Sequence, residues 1–129
     1  MLDTNIVSHF MRYPDGQVAK IIRKTGDAGL CVSVIVVAEL RYGVAKVGST
    51  RLARQVDFAL ATLDIVPFEP PADQIYADIR TALERKGTVI GPNDLWIAAH
   101  ALALDLPLIA ANIGEFSRVP NLRVENWLD

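Results

Sequence analysis

The stretch Gly91-Pro92-Asn93-Asp94-Leu95-Trp96-Ile97-Ala98-Ala99-His100 decides how the rest of the chain is interpreted. Its Gly-Pro pair is a turn signal, and the side chain of Asn93 or Asp94 can cap a new helix. Nearly all residues from there to Leu104 are apolar, which predicts a helix that is buried on almost every face. Asp94 therefore places a carboxylate at the start of the most buried helix. Taken alone, that acid is explained by capping and by the helix dipole.

On both sides of this stretch, short apolar runs alternate with helical patterns. The runs at residues 29–34, 63–68, 106–111 and 122–127 are typical of buried strands, and Met1-Leu2 leaves room for one very short strand before them. Such alternation indicates βα units, and hence a mostly parallel sheet covered on both faces. We expect an α/β fold with a central sheet of about four to five short strands in one domain, residues 1–129.

Helix starts and loops are predicted from capping and turn residues. Thr4 or Asn5 is predicted to cap the first helix, and the segment Gly48-Ser49-Thr50 is predicted to end one helix and cap the next. Residues 112–115 are predicted to form a loop.

Net charge, apolar run length and mean hydropathy exclude some classes of protein and favour others. The 129 residues carry a net charge of −2, and a protein that holds nucleic acid by charge alone should be basic. The chain has no apolar run near the roughly 18 residues of a membrane span and no signal-peptide pattern before Asp3, so a cytoplasmic protein is expected. Cys31, between apolar residues, is expected to be a buried thiol. The positive mean hydropathy of +0.26 favours a partner or a dimer.

Three acids occupy comparable places in this alternation. Asp3 follows the first strand, Glu39 lies a turn into the helix after the second, and Asp94 opens a helix ahead of a later strand. In an open parallel sheet, the carboxyl ends of strands and the starts of helices share one edge, where such folds bind ligands. The three carboxylates are therefore predicted to converge there.

Converging carboxylates repel one another unless a positive group joins them. No Lys or Arg adjoins Asp3 or Asp94 in sequence, and Mg²⁺ and Mn²⁺ prefer oxygen ligands. His9 and His100 are isolated, without zinc spacing, and Ser33 has no evident His partner for a nucleophilic role. The pattern points to a divalent-metal site. The alternative interpretation is three separate helix-start acids.

Several segments, taken in order, resemble the motifs of PIN-domain proteins, and the resemblance covers essentially the whole chain. The carboxyl-terminal segments resemble those of VapC-type toxins in particular. The segments are Met1-Leu2-Asp3-Thr4-Asn5, the residues 33–43 that include Glu39, Lys86-Gly87-Thr88, Gly91-Pro92-Asn93-Asp94, residues 97–101, Asn112, Glu115-Phe116, Arg118-Val119-Pro120, Leu122-Arg123-Val124 and Asn126-Trp127.

This resemblance implies a PIN-like three-layer fold and a VapC-type toxin of a bacterial type II toxin–antitoxin pair. Such proteins are Mg²⁺- or Mn²⁺-dependent endoribonucleases that cut structured RNA, commonly tRNA or ribosomal RNA. They usually dimerise and are held inactive by a cognate antitoxin. Carried over by motif, the catalytic acids are Asp3, Glu39 and Asp94. Asp3 and Asp94 are expected to bind the metal directly, and Glu39 directly or through water. Candidates for outer contacts to the metal are Thr4, Asn5, Asn112 and Glu115.

Two features depart from the family pattern. The strand before Asp3 is only Met1-Leu2, and the late loop reads Ala110-Ala111-Asn112 where the family usually has Thr, a polar residue, then Asn or Asp. A fourth contact to the metal is then left to Asn112 or Glu115. The altered loop keeps open a catalytically weakened PIN-like binding module that pairs with an antitoxin or RNA without cutting. A DNA nuclease that uses the same acids is a third hypothesis.

Overall fold

Helices and short strands alternate along the chain, in a computed structural model that describes residues 1–25 and 29–128. This alternation confirms the predicted α/β class. The strands are β1 (Cys31–Ser33), β2 (Asp64–Val66), β3 (Leu108–Ile109) and β4 (Val124–Glu125). The helices are α1 (Thr4–Arg12), α2 (Gln17–Thr25), α3 (Val34–Val47), α4 (Thr50–Ala61), α5 (Ala72–Lys86), α6 (Pro92–Ala103) and α7 (Ile113–Phe116).

The strands form two parallel pairs, β1 with β2 and β3 with β4. The segment Met1–Asp3 lies between the pairs and bonds to both. The N–H of Leu2 donates to the carbonyl of Cys31 at 2.9 Å, and the N–H of Asp3 donates to the carbonyl of Ile109 at 2.9 Å. The first three residues of the chain are buried as a result. The short segment that precedes Asp3 is therefore anchored on both sides.

The parallel direction of these segments sets where the helices begin. α1 starts directly after Asp3, and α3 starts directly after β1, so both begin at the carboxyl ends of their strands. α6 precedes β3 and runs back along it, so α6 begins at the same edge. Three helices therefore begin at the same edge, as expected for an α/β sheet.

The helix predicted after Gly91-Pro92 forms as α6 and is largely buried, as its apolar composition predicts. The exposed or half-buried residues of α6 lie near its start and at its end: Pro92, Asn93, Asp94, Trp96, Leu102 and Ala103. Cys31 is buried, again as predicted. In the part of the chain that the structure describes, no helix is long and apolar enough to cross a membrane. The buried residues of α6 are Leu95, Ile97, Ala98, Ala99, His100 and Ala101.

Two predicted helix caps are wrong. α6 begins at Pro92 with Gly91 as its N-cap, so neither Asn93 nor Asp94 caps it. Proline is favoured in the first helical position because the missing N–H needs no partner there. Likewise, α1 has Asp3 as its N-cap rather than Thr4 or Asn5.

The cap predicted within Gly48-Ser49-Thr50 is confirmed, and the structure places it at Ser49, whose side chain accepts a hydrogen bond from the N–H of Leu52 at 3.1 Å. The loop predicted at residues 112–115 is wrong in part, because α7 begins at Ile113. There Asn112 acts as the N-cap, and its side chain accepts from the N–H of Glu115. A cap of this kind makes even one helical turn stable enough to replace a loop.

The burial of α6 yields a test of the fold. Ile97 is fully buried, so Ile97→Ala leaves a cavity and should lower the free energy of unfolding by about 2–5 kcal/mol. Leu104, which ends the same helix and is 44% exposed, supplies the matched control Leu104→Ala, with a change below about 1 kcal/mol. Urea denaturation followed by circular dichroism measures both. Equal losses would contradict the described packing of α6.

Candidate active site

Four carboxylates meet at the shared edge, and we call them the acidic cluster: Asp3, Glu39, Asp94 and Glu115. Asp3 ends the amino-terminal segment, Glu39 lies in the second turn of α3, Asp94 lies in the first turn of α6, and Glu115 lies in α7. The negative charges of Glu39 and Glu115 raise the pKa of Asp3, and the charges of the other three raise the pKa of Asp94. The structure thus brings the three predicted acids together and adds Glu115.

Asp3 is the most buried member of the cluster, with 2% of its surface exposed. Burial, more than the charges of its neighbours, raises its pKa to about 6, against the opposing effect of the N–H groups of Thr4 and Asn5. Its Oδ1 atom is buried without a hydrogen-bond partner among the described residues. A buried carboxylate oxygen in that state is costly unless it gains a proton or a cation.

Asp94 and Glu115 contact the same stretch of backbone. A Cβ placed on Gly91 would lie 3.3 Å from Oε1 of Glu115 and 3.5 Å from Oδ2 of Asp94, so this position leaves little room for a side chain. Burial, followed by the charges of Asp3, Glu115 and Glu39, raises the pKa of Asp94 to about 7. The metal-free site therefore holds a proton near neutral pH.

Glu39 is held by the neighbours of the two aspartates. The hydroxyl of Thr4 donates to its Oε1 at 2.5 Å, and the amide of Asn93 donates to its Oε2 at 3.2 Å. Because each donor adjoins one aspartate in sequence, the orientation of Glu39 depends on the placement of both. Sequence reasoning treated Asn93 only as a cap and missed this contact, although its position beside Asp94 was a usable signal.

Glu115 is held in the same manner from the other side. Its carboxylate accepts from the backbone N–H of Gly91 and from the amide of Asn112, the latter at 2.5 Å. Asn112 itself is exposed and reaches the cluster through Glu115. Ala110 is fully buried and offers no polar side chain. Of the two residues expected to replace the missing polar loop positions, Glu115 is the one within the acidic cluster.

Beneath the cluster lies a buried Ser33–His100 pair, which contradicts the expectation that Ser33 has no His partner. The Nδ1 atom of His100 is 2.7 Å from the Oγ atom of Ser33, and that Oγ also accepts from the N–H of Ile35 at 3.0 Å. Both residues are at most 1% exposed, so the hydroxyl is no accessible nucleophile. Burial also lowers the pKa of His100, which keeps its ring neutral.

This pair connects the two helices that carry acids. Ser33 caps α3, which carries Glu39, and His100 lies on α6, which carries Asp94. Since 67 residues separate Ser33 from His100, no local spacing rule could have paired them. The hydrogen bond fixes the separation of α3 and α6 below the acidic cluster.

The donor chemistry of the cluster suits a hard divalent cation. All four side chains present oxygen atoms, and Asp3 has an unpartnered one. Within residues 1–25 and 29–128, no three Asp, Glu, His or Cys side chains form a ready-made metal-binding group. In this structure Glu39 and Glu115 are engaged by their own donors. Mg²⁺ is usually bound by one or two carboxylates and keeps several waters, so Asp3 and Asp94 are enough to supply its direct protein ligands.

The profile of the PIN domain family matches residues 1–122. The chain belongs to the PIN-domain family. It is 40% identical over 129 residues to ribonuclease VapC2 of Rickettsia felis, covering 98% of this chain and 96% of that relative. It is also 31% identical over 128 residues to the tRNA(fMet)-specific endonuclease VapC of Salmonella typhimurium, with 98% and 96% covered.

The fold agrees with a solved toxin–antitoxin structure. The crystal structure of VapBC2 from Rickettsia felis bound to a DNA fragment from their promoter aligns with a TM-score of 0.91 at 38% identity. The alignment covers 98% of this chain and 97% of that one. Within the PIN-domain family, the resemblance to VapC-type toxins inferred from the motifs is confirmed.

The raised pKa of Asp94 predicts a pH dependence of the metal-free protein. Its ordinary pKa is 3.8, and its folded pKa is about 7, so the folded state binds the proton more tightly than the unfolded state. The stability from this group is present below its ordinary pKa and is lost as pH rises through about 7. In EDTA, Tm of the wild type should fall more steeply from about pH 5 to 8 than Tm of Asp94→Asn.

Differential scanning calorimetry measures these slopes. Asp105→Asn is the matched control, because Asp105 is an exposed acid just beyond the other end of α6. That variant should keep the wild-type slope. Parallel curves for the wild type and Asp94→Asn would show that this carboxylate carries no unfavourable charge in the folded state.

Proposed function

We propose that this protein is a Mg²⁺- or Mn²⁺-dependent endoribonuclease that hydrolyses phosphodiester bonds in tRNA or ribosomal RNA and is neutralised by a cognate antitoxin. The observation that carries the proposal is the acidic cluster at one edge of the fold, with the buried, unpartnered Oδ1 of Asp3. Relatives that match nearly the whole chain are named ribonucleases or endonucleases, and one is named for tRNA. The two strand pairs and Met1–Asp3 act as a single sheet in a domain of residues 1–129.

Asp3 and Asp94 would hold the cation directly, because one is a buried and the other a half-buried carboxylate, and the charge of each is unfavourable without a cation. A divalent cation supplies a Lewis acid for a phosphate oxygen and lowers the pKa of water. It also neutralises the phosphate charge, which explains how a chain with a net charge of −2 handles RNA. Glu115 would supply the polar contact to the cation that the apolar side chains of Ala110 and Ala111 cannot make.

Glu39 acts on the attacking water. The Thr4 and Asn93 donors fix its carboxylate, which then orients a water or takes its proton, or contacts a cation through water. Asp94 would have to be ionised to bind a cation, so binding would release the proton that this carboxylate holds near neutral pH. The resulting cleavage leaves 5′-phosphate and 3′-hydroxyl ends.

Exposed apolar side chains support protein partners. Val47 of α3 is 67% exposed, and Phe58 of α4 is 72% exposed. Large exposed apolar surfaces on a small domain mark interaction sites. We propose a homodimer that also binds the antitoxin. The neighbouring crystal structure of VapBC2 is itself a toxin–antitoxin complex.

Replacement of Asp3 or Asp94 tests the activity. Asp3→Asn and Asp94→Asn should each reduce Mg²⁺-dependent RNA cleavage at least about 100-fold, the scale of losing one group that stabilises transition-state charge. Asp105→Asn, outside the cluster, should cleave as the wild type does. The assay compares RNA and DNA substrates with purified, antitoxin-free protein. Full activity in either cluster variant contradicts the proposal, and a wild type that binds RNA but never cuts it favours the binding module.

The role of Glu115 is tested by metal affinity. Glu115→Gln should weaken Mn²⁺ binding about 10- to 100-fold, as removal of an outer partner of a metal site does. Glu84→Gln is the control, because Glu84 is an exposed acid of α5 that contacts Arg80. Isothermal titration calorimetry measures both dissociation constants. An unchanged constant in Glu115→Gln would limit Glu115 to holding the backbone at Gly91.

A further inference from the structure

A groove of about 580 Å³ opens directly beside the acidic cluster. Glu39, Thr4 and Asn93 line one part of it, which is the hydrogen-bonded group already described. Whatever occupies the groove therefore contacts the same carboxylate that acts on the attacking water. If RNA is cut at the acidic cluster, a nucleotide next to the cleaved bond lies at this groove.

The remainder of the groove is apolar and aromatic. Ile35, Ala38 and Tyr42 line it from α3, and Trp96 lines it from α6. None of its lining residues among those described is Lys or Arg. Such a surface has no charge with which to hold a phosphate, but it suits the flat, weakly polar face of a base.

Trp96 is held in place before any ligand arrives. Its ring stacks on Tyr76 with centroids 3.5 Å apart and planes 5° from parallel, and the ring of Phe68 meets it edge-on at 5.2 Å. Trp96 is nevertheless only half-buried, and it borders the groove. An aromatic ring fixed by its neighbours loses little conformational entropy when a ligand stacks on it.

Tyr42 adds a second aromatic ring to the groove. It follows Glu39 by three residues on α3, as Trp96 follows Asn93 by three residues on α6. Residues three apart lie on one helix face, about 4.5 Å apart along the axis. Tyr42 is 67% exposed, so its ring is available to a ligand.

We propose that this groove binds one unpaired base of the RNA, adjacent to the cleaved bond, by stacking on Tyr42 and Trp96. The proposal rests on the proposed function. Bases in single-stranded loops and bulges can be splayed out to stack on aromatic side chains, whereas both faces of a base inside a helix are already covered. The groove therefore selects phosphodiester bonds flanked by an unpaired base.

The test pairs a change in the RNA with a change in the groove. The substrate is a short RNA hairpin with its cleavage site in the loop, and an abasic nucleotide replaces each flanking base in turn. One abasic position should lower kcat/KM of the wild type at least about fivefold, the lower end of what one base–aromatic stack contributes. Tyr42→Ala should lower kcat/KM on the intact hairpin similarly and be insensitive to that abasic position.

Two variants serve as controls. Tyr42→Phe keeps the ring and should cleave as the wild type does. Tyr13→Ala removes another exposed tyrosine, at the end of α1 and outside the groove, and should retain both full activity and the abasic effect. All assays omit the antitoxin.

The outcomes separate the two proposals. A wild type that cleaves with Mg²⁺ but ignores both abasic positions overturns the stacking proposal and leaves the proposed function intact. The stacking proposal is also overturned if the loss of kcat/KM from the abasic nucleotide and the loss from Tyr42→Ala multiply when the two are combined. Independent losses of this kind would show that the base and Tyr42 do not interact. If Tyr42→Ala converts a dimer to a monomer in light scattering while abasic RNA is cut normally, the groove faces a second copy instead. Absence of any Mg²⁺-dependent cleavage by the wild type overturns both.

Discussion

The partial burial of four carboxylates at one edge, together with their mutual repulsion, is the constraint on which the rest of this structure depends. Two of them are relieved by fixed donors: Glu39 by a hydroxyl and an amide, and Glu115 by a backbone N–H and an amide. Asp3 and Asp94 are left with raised pKa values, chiefly because they are buried. The folded protein is therefore more stable when this site carries protons, and a cation bound by the two aspartates would relieve the same electrostatic cost.

Holding like charges together requires rigid supports. Asp3 follows a segment bonded to strands on both sides, and Asp94 begins a helix whose interior residues are buried. The buried Ser33–His100 hydrogen bond then ties the start of α3 to α6. These contacts place the acids on elements that cannot easily separate, which is the requirement for a precise ligand geometry.

Much of this arrangement is readable from the sequence. The alternation of short apolar runs with helices predicts the α/β class, and the parallel-sheet edge predicts that Asp3, Glu39 and Asp94 meet. Which residue caps a helix, and which donor bonds which carboxylate, could not be predicted from the sequence. Gly91 and Pro92 took the cap position from Asp94, and Asn93 bonded Glu39 instead. The Ser33–His100 pair arises from tertiary packing, which leaves no local pattern in the chain.

The central claim is that Asp3 and Asp94 share a divalent cation in the folded protein. Anomalous diffraction from crystals grown with Mn²⁺ tests it most directly, because the ion itself gives the signal. The account predicts one strong peak within about 2–2.6 Å of a carboxylate oxygen from each aspartate, and no peak there in Asp94→Asn crystals. Ordered density for both side chains with no peak between them, at saturating Mn²⁺, would contradict it.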